Sequence, residues 1–225
     1  MPTALELVEA ALADRAMDWK RALLALEPME PDAAAAAAVV AAYEGGRCPP
    51  WAAAALLGAI GHSDGYATAL AILRAAPGQL AESYAGPALA KMRGDAALPD
   101  LAAVLEDPAC ALRAREGAAF GLARIADARA DELLLAAVDQ ERVRTSVAGS
   151  VACDRGTSDD ALIRLLRAAS PRRRNTAAWA VFYRAAKGRV SSALATSMLA
   201  ALDAAPLPFT SAQREMLRDR LAPTN

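Results

Sequence analysis

From about Pro31 onward the chain repeats itself roughly every 32 residues, and this periodicity limits its fold more than any other feature. Each unit reads as a short Ala-rich apolar helix, a turn, a second apolar helix and a loop carrying Gly or Asp. The loops align at Ile60-Gly-His-Ser-Asp, Met92-Arg-Gly-Asp, Ile125-Ala-Asp-Ala-Arg, Cys153-Asp-Arg-Gly and Ala186-Lys-Gly-Arg. Their first residues are 32, 33, 28 and 33 positions apart. A period of this length predicts helix pairs that each bury an apolar face only against their neighbours.

Composition agrees with helices rather than strands. Of the 225 residues, 62 are Ala, and aromatics make up only 4%. Alanine is the best helix former, whereas sheets favour β-branched and aromatic side chains. The chain is therefore expected to be all-α, with about seven antiparallel helix pairs forming one continuous stack over residues 1–225. Residues 1–30 would cap its N-terminus with two helices, near 3–13 and 16–26, bearing Glu6, Glu9, Asp14, Asp18, Lys20 and Arg21. Residues 31–203 hold the repeats, and 204–225 a C-terminal capping helix with Thr210 as its N-cap. Gly45-Gly46, Pro49-Pro50, Pro77-Gly78, Asp107-Pro108 and Ser170-Pro171 mark the breaks between helices. Gly86-Pro87 is expected to kink or restart the helix around it.

Within this pattern, Asp107-Pro-Ala-Cys-Ala-Leu-Arg-Ala-Arg-Glu-Gly-Ala-Ala-Phe-Gly-Leu-Ala-Arg-Ile-Ala-Asp resembles the HEAT repeat, and more narrowly the bacterial HEAT-like repeats of phycobilisome lyases. The shared pattern is Asp-Pro, an aliphatic-Arg step, and a small-residue second helix ending near Gly or Asp. Asp139 with Val143-Arg144, and Ser170-Pro171 with Arg174, repeat it. The resemblance implies a right-handed α–α superhelix whose second helices line the concave side. It also implies a structural ladder in which Arg113, Arg144 and Arg174 meet loop aspartates, with Asp107 and Asp139 as candidates. Such a scaffold serves adaptors, lyases, hydroxylases and DNA-repair enzymes alike, so it does not specify function.

Charge is unevenly spread. Residues 1–140 hold 11 Lys/Arg against 19 Asp/Glu, whereas residues 141–190 hold 11 against 4. On a helical wheel Ala177, Ala178, Val181 and Ala185 share a small apolar stripe with Arg174 above it. Arg172, Arg173, Thr176, Tyr183, Arg184 and Lys187 fall opposite, and Arg142 takes the position in the preceding repeat equivalent to Arg172. With the resemblance, this predicts a concave basic strip of Arg142, Arg172, Arg173, Arg184 and Lys187, with Tyr183 and Trp179 among them. The strip suits an acidic protein or peptide partner, or a phosphate backbone; a solvated face that keeps an Ala-rich chain soluble is the plainer alternative.

Motifs for chemistry are scarce. His62 is the single histidine, whereas the metal-binding HEAT hydroxylases carry repeated His-Glu pairs. No two cysteines have metal spacing, and nucleophile-elbow, P-loop and dinucleotide fingerprints are missing. Gly117 and Gly121 signal close helix packing. Asp159-Asp160 read as charges complementing a helix N-terminus. Three widely spaced cysteines, Cys48, Cys110 and Cys153, argue against a disulfide framework, and no apolar run approaches the ~20 residues of a membrane span. The expectation is a cytoplasmic, non-enzymatic scaffold with no cofactor, no metal and no membrane contact. Relatedness to HEAT-like DNA glycosylases, which pair tryptophans with a carboxylate, or to phycobilin lyases is a minor alternative.

Overall fold

A computed structural model describes residues 2–13, 19–78 and 80–222, apart from the side chains of Trp19 and Lys20. The described residues form fourteen α-helices and two 3-10 turns, without a strand. The helices are α1 (Ala4–Ala13), α2 (Trp19–Leu26), α3 (Ala33–Glu44), α4 (Pro50–Ile60), α5 (Tyr66–Ala75), α6 (Ala81–Arg93) and α7 (Leu98–Glu106). There follow α8 (Leu112–Leu122), α9 (Ala128–Asp139), α10 (Thr145–Asp154), α11 (Asp159–Leu166), α12 (Pro171–Ala186), α13 (Ser192–Ala204) and α14 (Ser211–Leu221). The expected helix start at Ala16, with Asp14 and Asp18, lies outside the described residues, as does the Lys20 side chain. No helix among the described residues is long and apolar enough to cross a membrane.

Local chemistry sets the ends. The Asp32, Ser158, Ser170, Ser191 and Thr210 side chains each accept a backbone N–H of the first turn that follows. This satisfies donors that a helix start leaves without partners. Thr210 and Gln213 complete a reciprocal capping box. Gly61 closes α4 in the left-handed region, at φ 74°, where a β-carbon would be strained. Gly86-Pro87 does not break its helix: α6 runs through both residues. Proline 87 has no N–H to give to the Ser83 carbonyl, but its neighbours on the buried side, Ala85, Ala88 and Leu89, hold the helix against the core.

The chain divides into two compact units, residues 1–133 and 134–225, with the division inside α9. In the first, α2 packs on α4, α4 on α6 and α6 on α8, while α1 packs on α3. The helices of each pair, α3 with α4, α5 with α6 and α7 with α8, also pack together. Gly58 meets Ala88, Glu82 meets Gly117, and Gly86 meets both Gly117 and Gly121. Residue numbers rise together on the two sides of each crossing, so α4, α6 and α8 run parallel. The contact is backbone to backbone, since a β-carbon on Gly117 would come within 2.6 Å of the Glu82 carbonyl oxygen. The Gly117/Gly121 step is thus a packing device. Leu56, Leu57, Ile72, Leu73, Leu89, Leu101, Leu105 and Leu122 fill the space between the helices.

In the second unit α10 packs on α12, α12 on α14 and α11 on α13. Gly149 of α10 lies against Thr176, Trp179 and Ala180 of α12. Its core gathers Leu162, Leu166, Val181, Leu194, Met198, Leu202 and Leu217.

Polar ties repeat the sequence period. In the first unit the Tyr66 hydroxyl donates to Asp100 at 2.8 Å, 34 residues on, and Lys91 Nζ donates to the Ala59 carbonyl at 2.7 Å, 32 residues back. In the second, Arg172 reaches the Val138 carbonyl across 34 residues, and Arg220 the Ala185 carbonyl across 35. Each tie joins a position to its counterpart one repeat away.

Candidate functional site

The expected basic strip is built on α12, but most of its cations are engaged within the fold. Arg173 makes a two-pronged pair with Asp139, Nε to Oδ1 at 2.9 Å and Nη2 to Oδ2 at 2.6 Å. Arg172 donates to the Val138 and Val143 carbonyls at 2.8 and 3.0 Å and pairs with Glu141 at 3.3 Å. Arg184 pairs with Asp159 at 2.6 Å and donates to the Thr157 carbonyl. Lys187 pairs with Asp154 at 3.2 Å and approaches Cys153. Arg142 is half-buried in the turn before α10. The wheel was oriented by a single apolar stripe, but α12 is covered on two sides. Thr176, expected outward, is buried because α10 packs there through Gly149. The flanking arginines therefore lie within reach of carbonyls and carboxylates of the preceding repeat.

The ladder is also redistributed. Asp139 is taken by Arg173, and Arg174 instead donates to the Ala168 carbonyl at 3.2 Å, six residues back. Asp107 serves its own turn, accepting the Ala109 N–H at 2.8 Å and the Cys110 thiol. Arg113 lies against Gly78, 2.8 Å from where a β-carbon would stand. Gly78 N–H in turn donates to the buried Glu82 carboxylate at 2.7 Å. Arg144 occupies the N-cap position of α10.

Electrostatics follow these contacts. The Arg173 hydrogen bond holds the Asp139 carboxyl below its ordinary range. Burial raises the Tyr183 hydroxyl, against the nearby Arg144 charge. In the first unit burial, then the Asp100 hydrogen bond, pushes Tyr66 up, with Arg93 stacked 3.8 Å over its ring. Burial moves the Cys48 thiol to about 11.

Trp179 and Tyr183 are half-buried and stack on one another, ring centroids 5.8 Å apart. Trp179 sits in an aromatic cluster with Phe182, Tyr183 and Phe209, its ring centroid 4.9 Å from that of Phe209. Both Trp179 and Phe182 pack on the core of the second unit. His62 accepts the Asp64 N–H at Nδ1, 3.3 Å away, and so caps a 3-10 turn. Among the described residues no three His, Cys, Asp or Glu side chains gather as a metal site.

A different feature of the first unit is concave. A groove enclosing about 530 Å³ opens over α4 between α2 and α6. Ala54, Ala55, Gly58 and Ala59 of α4 are its floor. Leu23 and Glu27 form one wall, and Ser83, Tyr84, Pro87, Ala88 and Lys91 the other, with Arg124 beyond the end of α8. The floor is low because its side chains are methyls or hydrogen. Sequence reasoning missed this groove by seeking charge. The available signal was steric: small residues on α4, and Tyr84, Ala88 and Lys91 at helical spacing on one face of α6.

The described residues define an all-α protein built from paired helices, with a groove floored by small residues over α4. The chain matches no protein-family model, no curated protein and no solved structure.

Proposed function

We propose that this protein is a non-enzymatic scaffold of HEAT-like helix pairs, stacked as an α–α solenoid, that holds a protein or peptide partner on the face of its second helices. One observation carries this reading: α4, α6 and α8 run parallel in close register and leave a groove floored by alanine and glycine. Small side chains serve both purposes. They let neighbouring helices approach through their backbones, and they leave room above α4 for another chain. The rest of the fold supports rigidity, because ties one repeat long hold successive pairs in place.

The phosphate-binding alternative has less support. Arg173, Arg184 and Lys187, three of its proposed contacts, already hold carboxylates. A phosphate would have to displace these acids or accept their repulsion.

The test is cross-linking mass spectrometry on the tagged protein isolated from its own cells. A polypeptide cross-linked to α2, α4, α6 or α8 is the expected result. The reading fails if the purified protein turns over a substrate and loses that activity on substitution of one carboxylate. It fails equally if nucleic acid rather than polypeptide is the cross-linked species.

A further inference from the structure

The rim of the groove is charged in a definite order. Glu27 stands exposed on the α2 wall, Lys91 on the α6 wall, and Arg124 in the turn after α8. Lys91 is fixed in place, since Nζ donates to the Ala59 carbonyl at the end of the α4 floor. That single bond leaves two further N–H groups of the ammonium for another acceptor. The Arg124 guanidinium makes no hydrogen bond or ion pair among the described residues. Between these charges the lining is mixed but mainly apolar: Ala55, Gly58, Ala59, Pro87, Ala88 and Tyr84, which is 40% exposed, with the hydroxyl of Ser83 beside them. One turn before Tyr84, Leu80 is 66% exposed at φ 69°, a conformation uncommon for a residue with a γ-branched side chain.

We propose that this groove binds a short segment of a partner protein, small or aliphatic at its centre, with a carboxylate where it passes Lys91 and Arg124 and a cation where it passes Glu27. The proposal rests on the scaffold reading and names the chemistry of the partner. Charge complementarity selects the occupant. A nucleic acid or an anionic lipid surface would present anions along its whole length and meet Glu27, in a segment of the chain where acids outnumber bases 19 to 11. A purely apolar occupant would leave the Lys91 and Arg124 charges without use. A volume of about 530 Å³ accommodates a few side chains, in the range of pockets that accept small ligands or anchor residues.

The experiment uses the full chain and fluorescent 12-residue synthetic peptides with an Ala/Leu centre. One carries a Glu pair at one end and a Lys pair at the other, a second carries Lys pairs at both ends, and a third Glu pairs at both. Anisotropy should show the mixed-charge peptide binding best. The double variant Lys91→Glu/Arg124→Glu should weaken it at least tenfold and transfer preference to the Lys-only peptide. Both positions are exposed, and unchanged circular dichroism verifies the fold; Ala59→Trp, which fills the floor, should weaken all three peptides. Equal affinity of all peptides for both proteins overturns the proposal, as does an absence of binding at millimolar peptide. Self-association in sedimentation that the double variant abolishes overturns it in favour of a second copy of the chain. A cellular partner cross-linked away from the groove, with no peptide bound, sinks this inference alone. Peptide binding in the groove without any cellular polypeptide partner sinks the scaffold reading instead.

Discussion

Gly86 and Gly117 show how one hydrogen atom in place of a methyl decides a helix crossing. A β-carbon on Gly86 would collide with the Gly117 carbonyl, which is backbone and cannot swing aside. Gly86→Ala should therefore destabilise the first unit by about 1–3 kcal/mol or more, the usual range for overpacking. Urea unfolding checks this; Gly46→Ala makes a poor control because of its φ of 71°, whereas Gly45→Ala meets only ordinary or slightly tight contacts. Asp139 gives a pH-dependent case. Its folded-state carboxyl titrates below the ordinary 3.8, chiefly through the Arg173 hydrogen bond. The stabilisation is complete above that ordinary value and is lost as pH falls through the depressed one. Asp139→Asn should be less stable than the wild type at neutral pH, and the gap should close in acid. Thermal melts at a series of pH values measure it; a gap that widens in acid would contradict the pairing.

Among the elements, α12 shows most clearly how tertiary packing overrides a wheel. Its sequence has one small apolar stripe, Ala177, Ala178, Val181 and Ala185, and that stripe is buried. The contact with α10 through Gly149 was not legible, because the wheel reading gave glycine no directional weight. Yet this contact turns Thr176 inward and brings Arg172 and Arg173 to the previous repeat. Arg184 is the deepest of these ties, with a side chain only 11% exposed. Arg184→Ala should cost the second unit about 1–3 kcal/mol, since charged hydrogen bonds contribute more than neutral ones. Thr210→Ala, which removes the cap of α14, should cost about 1 kcal/mol. Chemical denaturation of the two single variants and the double tests both, and near-additive losses are expected because the sites share no partner.

For the whole molecule, the arginine-rich stretch uses part of its charge inside the fold: Arg172, Arg173, Arg184 and Lys187 each hold a carboxylate. These four act as cross-braces to the preceding repeat. The triple variant Arg172→Ala/Arg173→Ala/Arg184→Ala should accordingly lower the urea midpoint. It should leave retention of a labelled DNA duplex no different from that of the unaltered protein at any salt concentration. A steep loss of DNA affinity with unchanged stability would restore the phosphate-binding reading. Each unit also relies on modest burial: a fully buried leucine contributes roughly 1.5–3 kcal/mol, and alanine far less. Close helix approach and polar ties therefore matter more here than in a core rich in large side chains.

Helix content, the approximate positions of most helix ends and the recurrence of pairs were determined by the sequence alone. Those features depend on local chemistry: alanine propensity, Ser/Thr/Asp caps, Gly and Pro at ends, and a period near 32 residues. At Gly86-Pro87 a restart was one of two expectations, and packing instead keeps α6 continuous across the proline. Which cation meets which acid, and where a surface turns concave, only the tertiary structure decided. Such features depend on how far one backbone may approach another, and that distance is fixed by glycine and alanine contacts about thirty residues apart. Charge is easily seen in a sequence; the space left by small side chains becomes visible only once the helices are in place.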